Sequence, residues 1–398
     1  MPNTPLLVQF GAGNIGRSLV GQLFSAAGWE VIFLDVVEDV IDALNARGRY
    51  RITIKDELVP GQPDRIDVEN VSGINLRDRD AAIDAVMRAD MVGTSVGAAN
   101  IPSACGIIAE AFAKGREREL SVLLCENLHN ASKLARKCLE EALPPGSALA
   151  RKVGFVEAAI SKMVPSTPPE VRAADPLAVW AEAYNTLYLD ADAVLGEPPT
   201  VFGVAWRSDF AAYVDRKLLL HNFGHAAAAY NGFLKGKRFI WECMEDAEVR
   251  AETAGCMMET ARALAIRHGG VFTFDENRAW ADDLLRRFDN RALGDPVFRV
   301  GRDLRRKLAP DDRCIGSLRL LVDTGQPYTH TARAVAAAML FDPEGDGSPV
   351  ALADREVVRL AADNGPEAVL TGLCGLERGR DDGVIGAVAA EYGKLSKR

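Results

Sequence analysis

The stretch Leu6 to Asp35, LLVQFGAGNIGRSLVGQLFSAAGWEVIFLD, decides the fold. LLVQF is an apolar, β-rich run that stops at a glycine cluster. RSLVGQLFSAAG follows with apolar residues at helical spacing, and VIFLD returns to a β-rich run. Strand, glycine turn, helix and strand within about 30 residues make a βαβ unit. Gly11, Gly13 and Gly16 sit in its turn as G-x-G-x-x-G. The first permits a tight turn, the second lets backbone approach a pyrophosphate, and the third lets helix meet strand, with the helix N-terminus toward the phosphates. Asp35 closes the second strand, where an acid meets the hydroxyls of an adenosine ribose. That acid repels a 2′-phosphate, and Val36 and Val37 bring no arginine to hold one. The predicted cofactor is therefore NAD rather than NADP, held by Gly11, Ala12, Gly13, Asn14, Ile15, Gly16 and Asp35. Arg17 reads either as added charge near the pyrophosphate or as a solvated arginine.

Outward from this unit, MVGTSV (91–96), SVLLCEN (121–127), KVGFVEA (152–158) and TVFGVAW (200–206) are further strand-like runs, with helix-compatible sequence such as IPSACGIIAEAFAKG (101–115) between them. Alternation of this kind predicts a parallel sheet covered by helices. The Pro-rich interval from Pro165 to Pro176 reads as a long surface excursion. From Ser208 onward the pattern is helical, through DFAAYVDRKLLLHNFGHAAAAYNGFL, DAEVRAETAGCMMETARALAIRHG and TARAVAAAML. The expectation is an α/β Rossmann-type NAD-binding domain over residues 1–205 and a mostly α-helical substrate and catalytic domain over 206–398.

Composition bounds the function. The chain has 398 residues, 48% of them hydrophobic, and a formal net charge of -9. An acidic protein lacks the basic excess of a nucleic-acid binder, so anions must be held by local clusters. The 7 cysteines are an odd number with no C-x-x-C pair, which points to reduced thiols. No run reaches the length of a membrane span, and MPNTPLLVQFGAG lacks a basic region followed by a long apolar one. The expected address is the cytoplasm, with no membrane and no nucleic-acid partner.

Lys217, His221, Asn222 and His225 interrupt an otherwise apolar run, DRKLLLHNFGHAAAAY. At about 100° per residue, with Lys217 at zero, His221 falls near 40°, His225 near 80° and Asn222 near 140° on one side of a helix. Gly224, at roughly −20°, leaves room for something to approach the backbone. Alcohol oxidation needs a base for the hydroxyl proton and donors for the charge developing on the same oxygen. A buried lysine, an amide and an imidazole supply both. The spacing alone favours an amphipathic surface helix with a solvated lysine and two satisfied histidines. Zinc on His221 and His225 lacks the neighbouring acid of such a motif, so no metal is expected.

At these residues the chain resembles the polyol-specific long-chain dehydrogenase family. The likeness runs through GAGNIGR with LDVVEDVIDALNARGRY, SVGAANIP, CENLHN, VGFVEAAISKMVP, KLLLHNFGHAAAAY and RVGRDLRRKLAPDDR. It implies a Rossmann-type domain, a helical C-terminal domain and a metal-independent mechanism. Lys217 becomes the general base, and Asn222 and His225 bind the reacting oxygen. Asn127 falls where the family places an asparagine beside substrate and nicotinamide, although a strand-end asparagine capping the next helix reads the same. The chain departs from the family at Glu157 and Ser161-Lys162-Met163, where an Asp-Arg pair usually follows an acid.

RVGRDLRRKLAPDDR gathers Arg299, Arg302, Arg305, Arg306, Lys307 and Arg313 in an acidic protein. A phosphate dianion calls for such a cluster, with Arg302 and Lys307 first. The implied reaction interconverts D-mannitol 1-phosphate and D-fructose 6-phosphate with NAD. The alternatives are an unphosphorylated polyol, a hexuronate-type sugar acid, or a dinucleotide-sensing protein without catalysis.

Overall fold

In the computed structural model, residues 4–56, 63–128, 130–342 and 347–397 are described. The chain divides into two compact units, 1–210 and 211–398.

The first unit is built on an eight-stranded sheet. Its strands are β1 (Leu6–Phe10), β2 (Glu30–Asp35), β5 (Val71–Asn75), β6 (Met91–Thr94), β7 (Leu120–Leu124), β8 (Val153–Ile160), β10 (Leu187–Asp190) and β11 (Val204–Arg207). Across the sheet they run β11-β10-β8-β7-β6-β1-β2-β5. From β5 to β8 every pairing is parallel, in the order of a doubly wound dinucleotide fold. β8 and β10 pair antiparallel, and β10 and β11 parallel. A second sheet, β4-β3-β9, is formed by β3 (Arg49–Ile54), β4 (Arg65–Glu69) and β9 (Val179–Ala181). The helices of this unit are α1 (Gln22–Ala26), α2 (Glu38–Arg47), α3 (Arg79–Arg88), α4 (Ile101–Ala113), α5 (Ala131–Ala142) and the short α6 (Pro169–Ala174).

The period of two in a strand explains the two cores. Leu6, Val8, Phe10, Ile32 and Leu34 point to one face and join Ile83, Val92, Ile108 and Leu124. Leu7, Val31 and Phe33 point to the other, with Leu19, Phe24, Tyr50 and Ile52. Both faces are covered, so the strands read as continuous apolar runs rather than alternating ones. The Pro-rich interval is not wholly a surface excursion. Pro165 and Thr167 are buried on either side of exposed Ser166, Pro168 is half-buried, and Pro169 and Glu170 are exposed.

The second unit is helical. Its helices are α7 (Ala211–Asp215), α8 (Phe223–Phe233), α9 (Ile240–Glu245), α10 (Ala247–Arg267), α11 (Phe274–Phe288), α12 (Val297–Gly301), α13 (Leu304–Lys307), α14 (Arg313–Asp323), α15 (Thr329–Ala338), α16 (Pro349–Asn364), α17 (Pro366–Gly372) and α18 (Asp382–Leu395). Among the described residues no strand follows β11. α8 is the axis of the bundle, buried from Ala226 to Gly232. Small residues let its neighbours close in. An added Cβ on Gly232 would lie 2.1 Å from Cys243 Sγ. No helix among the described residues is long and apolar enough to cross a membrane.

Candidate active site

The glycine turn sits where β1 lies beside β6, the point at which strand order reverses. Gly11 has φ +90, and a Cβ there would press to 2.6 Å on the Ser95 carbonyl, so only glycine fits. Gly16 packs closer still, with the Gly11 oxygen 2.1 Å from its Cβ position. Gly13 differs, because a Cβ there meets nothing within 4 Å. Its backbone is exposed and open to a ligand. Asp35 is tied into the same turn: Oδ2 accepts from Ala12 N at 2.7 Å, and Oδ1 from Val36 N at 2.7 Å and Val37 N at 3.1 Å. Of about four acceptor positions on a carboxylate, three are filled, leaving one for a sugar hydroxyl. Exposed Val36 and Val37 flank it.

Arg17 takes neither role expected for it. It is buried, with Nε donating to the Ala12 carbonyl at 2.7 Å, and burial lowers its pKa against the pull of Tyr50, Asp175 and Asp35. The cause is a π-helical turn, Gly16–Gly21, immediately after the loop. Its wider ring leaves backbone groups needing partners, and Tyr50 Oη donates to the Arg17 carbonyl at 2.6 Å. Glu126, beside Asn127, ties its loop to the one after β6 by accepting from Val96 N and Gly97 N, each at 2.9 Å. Asn127 itself is exposed after β7. Glu157 accepts from Ser132 N at 3.0 Å and Ser132 Oγ at 2.6 Å, at the start of α5. Lys162 is buried, its Nζ 3.1 Å from Asn185 Oδ1 and 3.4 Å from Gln22 Oε1. The altered Ser161-Lys162-Met163 segment is thus built into the first unit's interior, where Met163 N also donates to the Glu182 carboxylate.

In the helical unit, Arg216–Asn222 is also a π-helical turn, which runs into α8. Each residue of such a turn advances by less than the 100° of an α-helix, so Lys217 and Asn222, five apart, come closer in azimuth than a regular wheel puts them. Ser317 Oγ from α14 donates to the Leu219 carbonyl in this turn at 3.2 Å. α11 supplies an aromatic wall. The Phe288 ring stacks on His225 at 4.7 Å and 11°, and Trp280 meets His221 edge-on at 6.1 Å.

The electrostatics of this turn are unusual. Burial and the Arg313 cation lower the Lys217 pKa to about 8, with Asp312 opposing. Burial takes His221 well below the ordinary histidine value, helped by Arg287 and His225. Burial lowers His225 as well, with Asp295 resisting. Asn222 Nδ2 and His221 Nδ1 are buried without a hydrogen-bond partner among the described residues. A buried amide donor left open costs about 1–3 kcal/mol, so the site is complete only when an acceptor arrives. Gly224 is not the opening that its place on a wheel suggests. A Cβ there would lie 2.8 Å from both Cγ and Sδ of Met257, because α10 packs on α8 at this point.

The basic cluster sorts itself by partner. Arg299 forms a two-pronged pair with Asp295 (2.7 and 2.6 Å), Arg305 pairs with Glu356 at 2.6 Å, Arg306 with Asp303 at 2.5 Å, and Arg313 with Asp312 at 2.8 Å. Arg302 and Lys307 have no carboxylate partner among the described residues. Arg302 is exposed, its guanidinium 5.9 Å from the Phe298 ring centre. Lys307 is buried and donates to the Val300 and Arg302 carbonyls, and burial with the Arg313 and Arg306 cations takes its pKa to about 7. Asp354 fixes the turn between them, accepting from Asp303 N at 2.7 Å and Leu304 N at 2.6 Å.

Asp295 was not singled out by sequence. It is buried, and His225 Nε2 lies 3.3 Å from its Oδ2. The one readable signal was its i,i+4 spacing to Arg299 at the head of a helix. Among the described residues no group of three or more His, Cys, Asp or Glu is placed to hold a metal ion.

A Rossmann-type dinucleotide domain followed by a helical domain with a polar turn of lowered pKa defines the two-domain plan of a nicotinamide-linked dehydrogenase. Residues 5–201 match the mannitol dehydrogenase Rossmann domain, and residues 209–390 the mannitol dehydrogenase C-terminal domain. The chain belongs to this family of polyol-specific long-chain dehydrogenases. It is 35% identical to a mannitol-1-phosphate 5-dehydrogenase of Bacillus licheniformis over 382 residues, covering 94% of this chain and 96% of that protein. Two solved structures share its fold. One is the Pseudomonas fluorescens mannitol 2-dehydrogenase ternary complex with NAD and D-mannitol, with TM-score 0.73, 17% identity, and 99% of this chain and 92% of that chain covered. The other is a D-sorbitol dehydrogenase in substrate-free form, with TM-score 0.75, 16% identity, and 99% and 93% covered.

Proposed function

We propose that the protein is an NAD-dependent, metal-independent oxidoreductase that interconverts D-mannitol 1-phosphate and D-fructose 6-phosphate. The observation that carries the chemistry is the pairing, on one π-helical turn, of Lys217 with its pKa near 8 and Asn222 with a buried, unanswered amide N–H. The relative's substrate and the open cation Arg302 support the phosphate.

Gly11, Ala12, Gly13, Asn14, Ile15 and Gly16 would hold the pyrophosphate of NAD, and Asp35 its ribose; the open face of Gly13 and the remaining acceptor on Asp35 suit that group. When bound, that group would supply the hydride chemistry of the reaction. For oxidation, neutral Lys217 takes the hydroxyl proton at a pH near its own pKa, where a base is both free and strong enough. Asn222 Nδ2 and His225 donate to the same oxygen as it gains charge. In the reverse direction the Lys217 ammonium returns the proton. Asn127 contacts the substrate beside the nicotinamide, and Arg302, steadied by Lys307, holds the phosphate.

Initial rates with NADH and fructose 6-phosphate, fructose or fructuronate test this reading. Turnover is expected with the phosphate, to be unchanged by a chelator, and to be much weaker with NADPH. Activity confined to fructose would instead favour the second reading, an unphosphorylated polyol, which the fold shared with mannitol and sorbitol dehydrogenases supports.

A further inference from the structure

His225 has two ring nitrogens, and only one of them can reach the reacting oxygen. Nε2 is buried and lies 3.3 Å from Asp295 Oδ2, within ion-pair reach but outside hydrogen-bond geometry. Phe288, stacked flat on the ring, prevents it from tilting away. Asp295 is an ionised carboxylate. Burial by itself raises its pKa, but the neighbouring His225 and the two bonds from Arg299 prevail and hold it at about 2. A carboxylate accepts only, so Nε2 can close a bond to it only while it carries a proton.

We propose that Asp295 is a positioning residue that keeps a proton on His225 Nε2 and thereby commits Nδ1 to the substrate oxygen. The consequence is chemical. In the neutral ring Nδ1 then has only a lone pair and cannot donate to the reacting oxygen. To donate to a ketone oxygen or to a developing alkoxide, the ring must carry a second proton. Asp295 makes that cation accessible inside a buried site by balancing its charge. The groups set against His225 are Asp295 and Arg299 at α12, Lys307 from α13, and His221 from its own π-helical turn at 6.3 Å between ring centres. Three of these are cationic or can become so. Asp295 is the one carboxylate of these four. The role rests on the dehydrogenase reading above, but the state of the imidazole can be measured without substrate.

The test is a nitrogen-15 NMR titration of the ring nitrogens in the full-length protein, with His225 assigned by a His225→Gln variant. The expected neutral tautomer carries its proton on Nε2. Asp295→Asn, of the same shape, should lower the His225 pKa by about 1–3 pH units, and Arg299→Gln, which removes a cation, should raise it. The pH limb of ketone reduction governed by this ring should move in the same two directions, with kcat at pH 7 falling at least about tenfold in Asp295→Asn. Shifts of opposite sign from two partners of one ion pair do not arise from loosened packing. A neutral His225 with its proton on Nδ1, or a titration unmoved in both variants, would overturn the proposal. Loss of turnover in Lys217→Ala together with an unmoved His225 titration would leave the dehydrogenase reading standing while removing Asp295 from it.

Discussion

Lys307 donates from Nζ to the main-chain carbonyl of Arg302, so the two cations of the cluster that lack a carboxylate partner are bonded to each other through backbone. Their tasks differ in consequence. Lys307 closes the C-terminal end of α12, where carbonyls are left over. Arg302 keeps its guanidinium outside. Arg302→Ala should raise KM for fructose 6-phosphate by about 10–100-fold, the value of one or two charge-assisted bonds, with little change in kcat. Lys307→Met should lower Tm by several degrees and disturb KM only through the turn it supports. Steady-state kinetics with parallel thermal melts separate the two, and an unchanged KM in Arg302→Ala removes that residue from phosphate binding.

Lys217 sets the expected pH dependence. Oxidation needs the neutral amine, so kcat/KM for mannitol 1-phosphate should rise with pH and level off above about 8. Reduction needs the ammonium, so its Lys217 limb should fall above that value, apart from the limb that His225 governs at lower pH. The Arg313 cation lowers the Lys217 pKa, and Asp312 opposes it. Arg313→Leu removes the cation and releases the carboxylate, so both limbs should move upward by about one pH unit. Lys217→Ala should abolish the limb and most of the turnover while NADH binding persists. Full activity in that variant sinks the lysine as base.

The glycine turn predicts a split between binding and stability. Gly13→Ala meets no atom within 4 Å in the free protein, so Tm should hold while NADH affinity, read by fluorescence titration, falls as the methyl enters the space for the pyrophosphate. Gly16→Ala drives a methyl onto the Gly11 oxygen, 2.1 Å away, and should lower Tm with or without cofactor. Equal loss of NADH affinity and stability in both variants would contradict this division.

Much of the first unit was legible because β1, β2, β6, β7 and β8 lie between covered faces and therefore read as plain apolar runs. β3, β4 and β9 were missed for the opposite reason. They form a small sheet whose runs RYRITI and RIDVE alternate with charge, and the pairing of Arg49–Ile54 with Val179–Ala181 spans too much sequence for any local pattern to reveal. The polar turn was legible as composition and not as geometry. A helical wheel assumes a constant step, while the π-helical turn at Arg216–Asn222 is set by packing against α14 and α11. Asp295 stayed hidden because it reaches His225 across 70 residues of chain, and Arg17 was misjudged because its partner is the carbonyl of its own loop.

Gly224 carries the clearest consequence of that misfit between wheel and packing. On a regular helix it lies beside Lys217 and offers space to a ligand; in the fold its missing side chain is the space that Met257 fills. Met257 is fully buried on α10, so it cannot swing outward to make room. Gly224→Ala should therefore cost about 1–3 kcal/mol of stability, typical of overpacking, partly offset by the better helix propensity of alanine. Met257→Ala alone should also destabilise, by leaving a cavity. Combined, the two should cost less than their sum, because each relieves the fault of the other, a coupling that chemical denaturation of the four proteins measures. KM and kcat of Gly224→Ala should remain near those of the parent. If instead the variant keeps its stability and loses substrate affinity, the glycine faces the ligand after all and the α8–α10 contact has been misassigned.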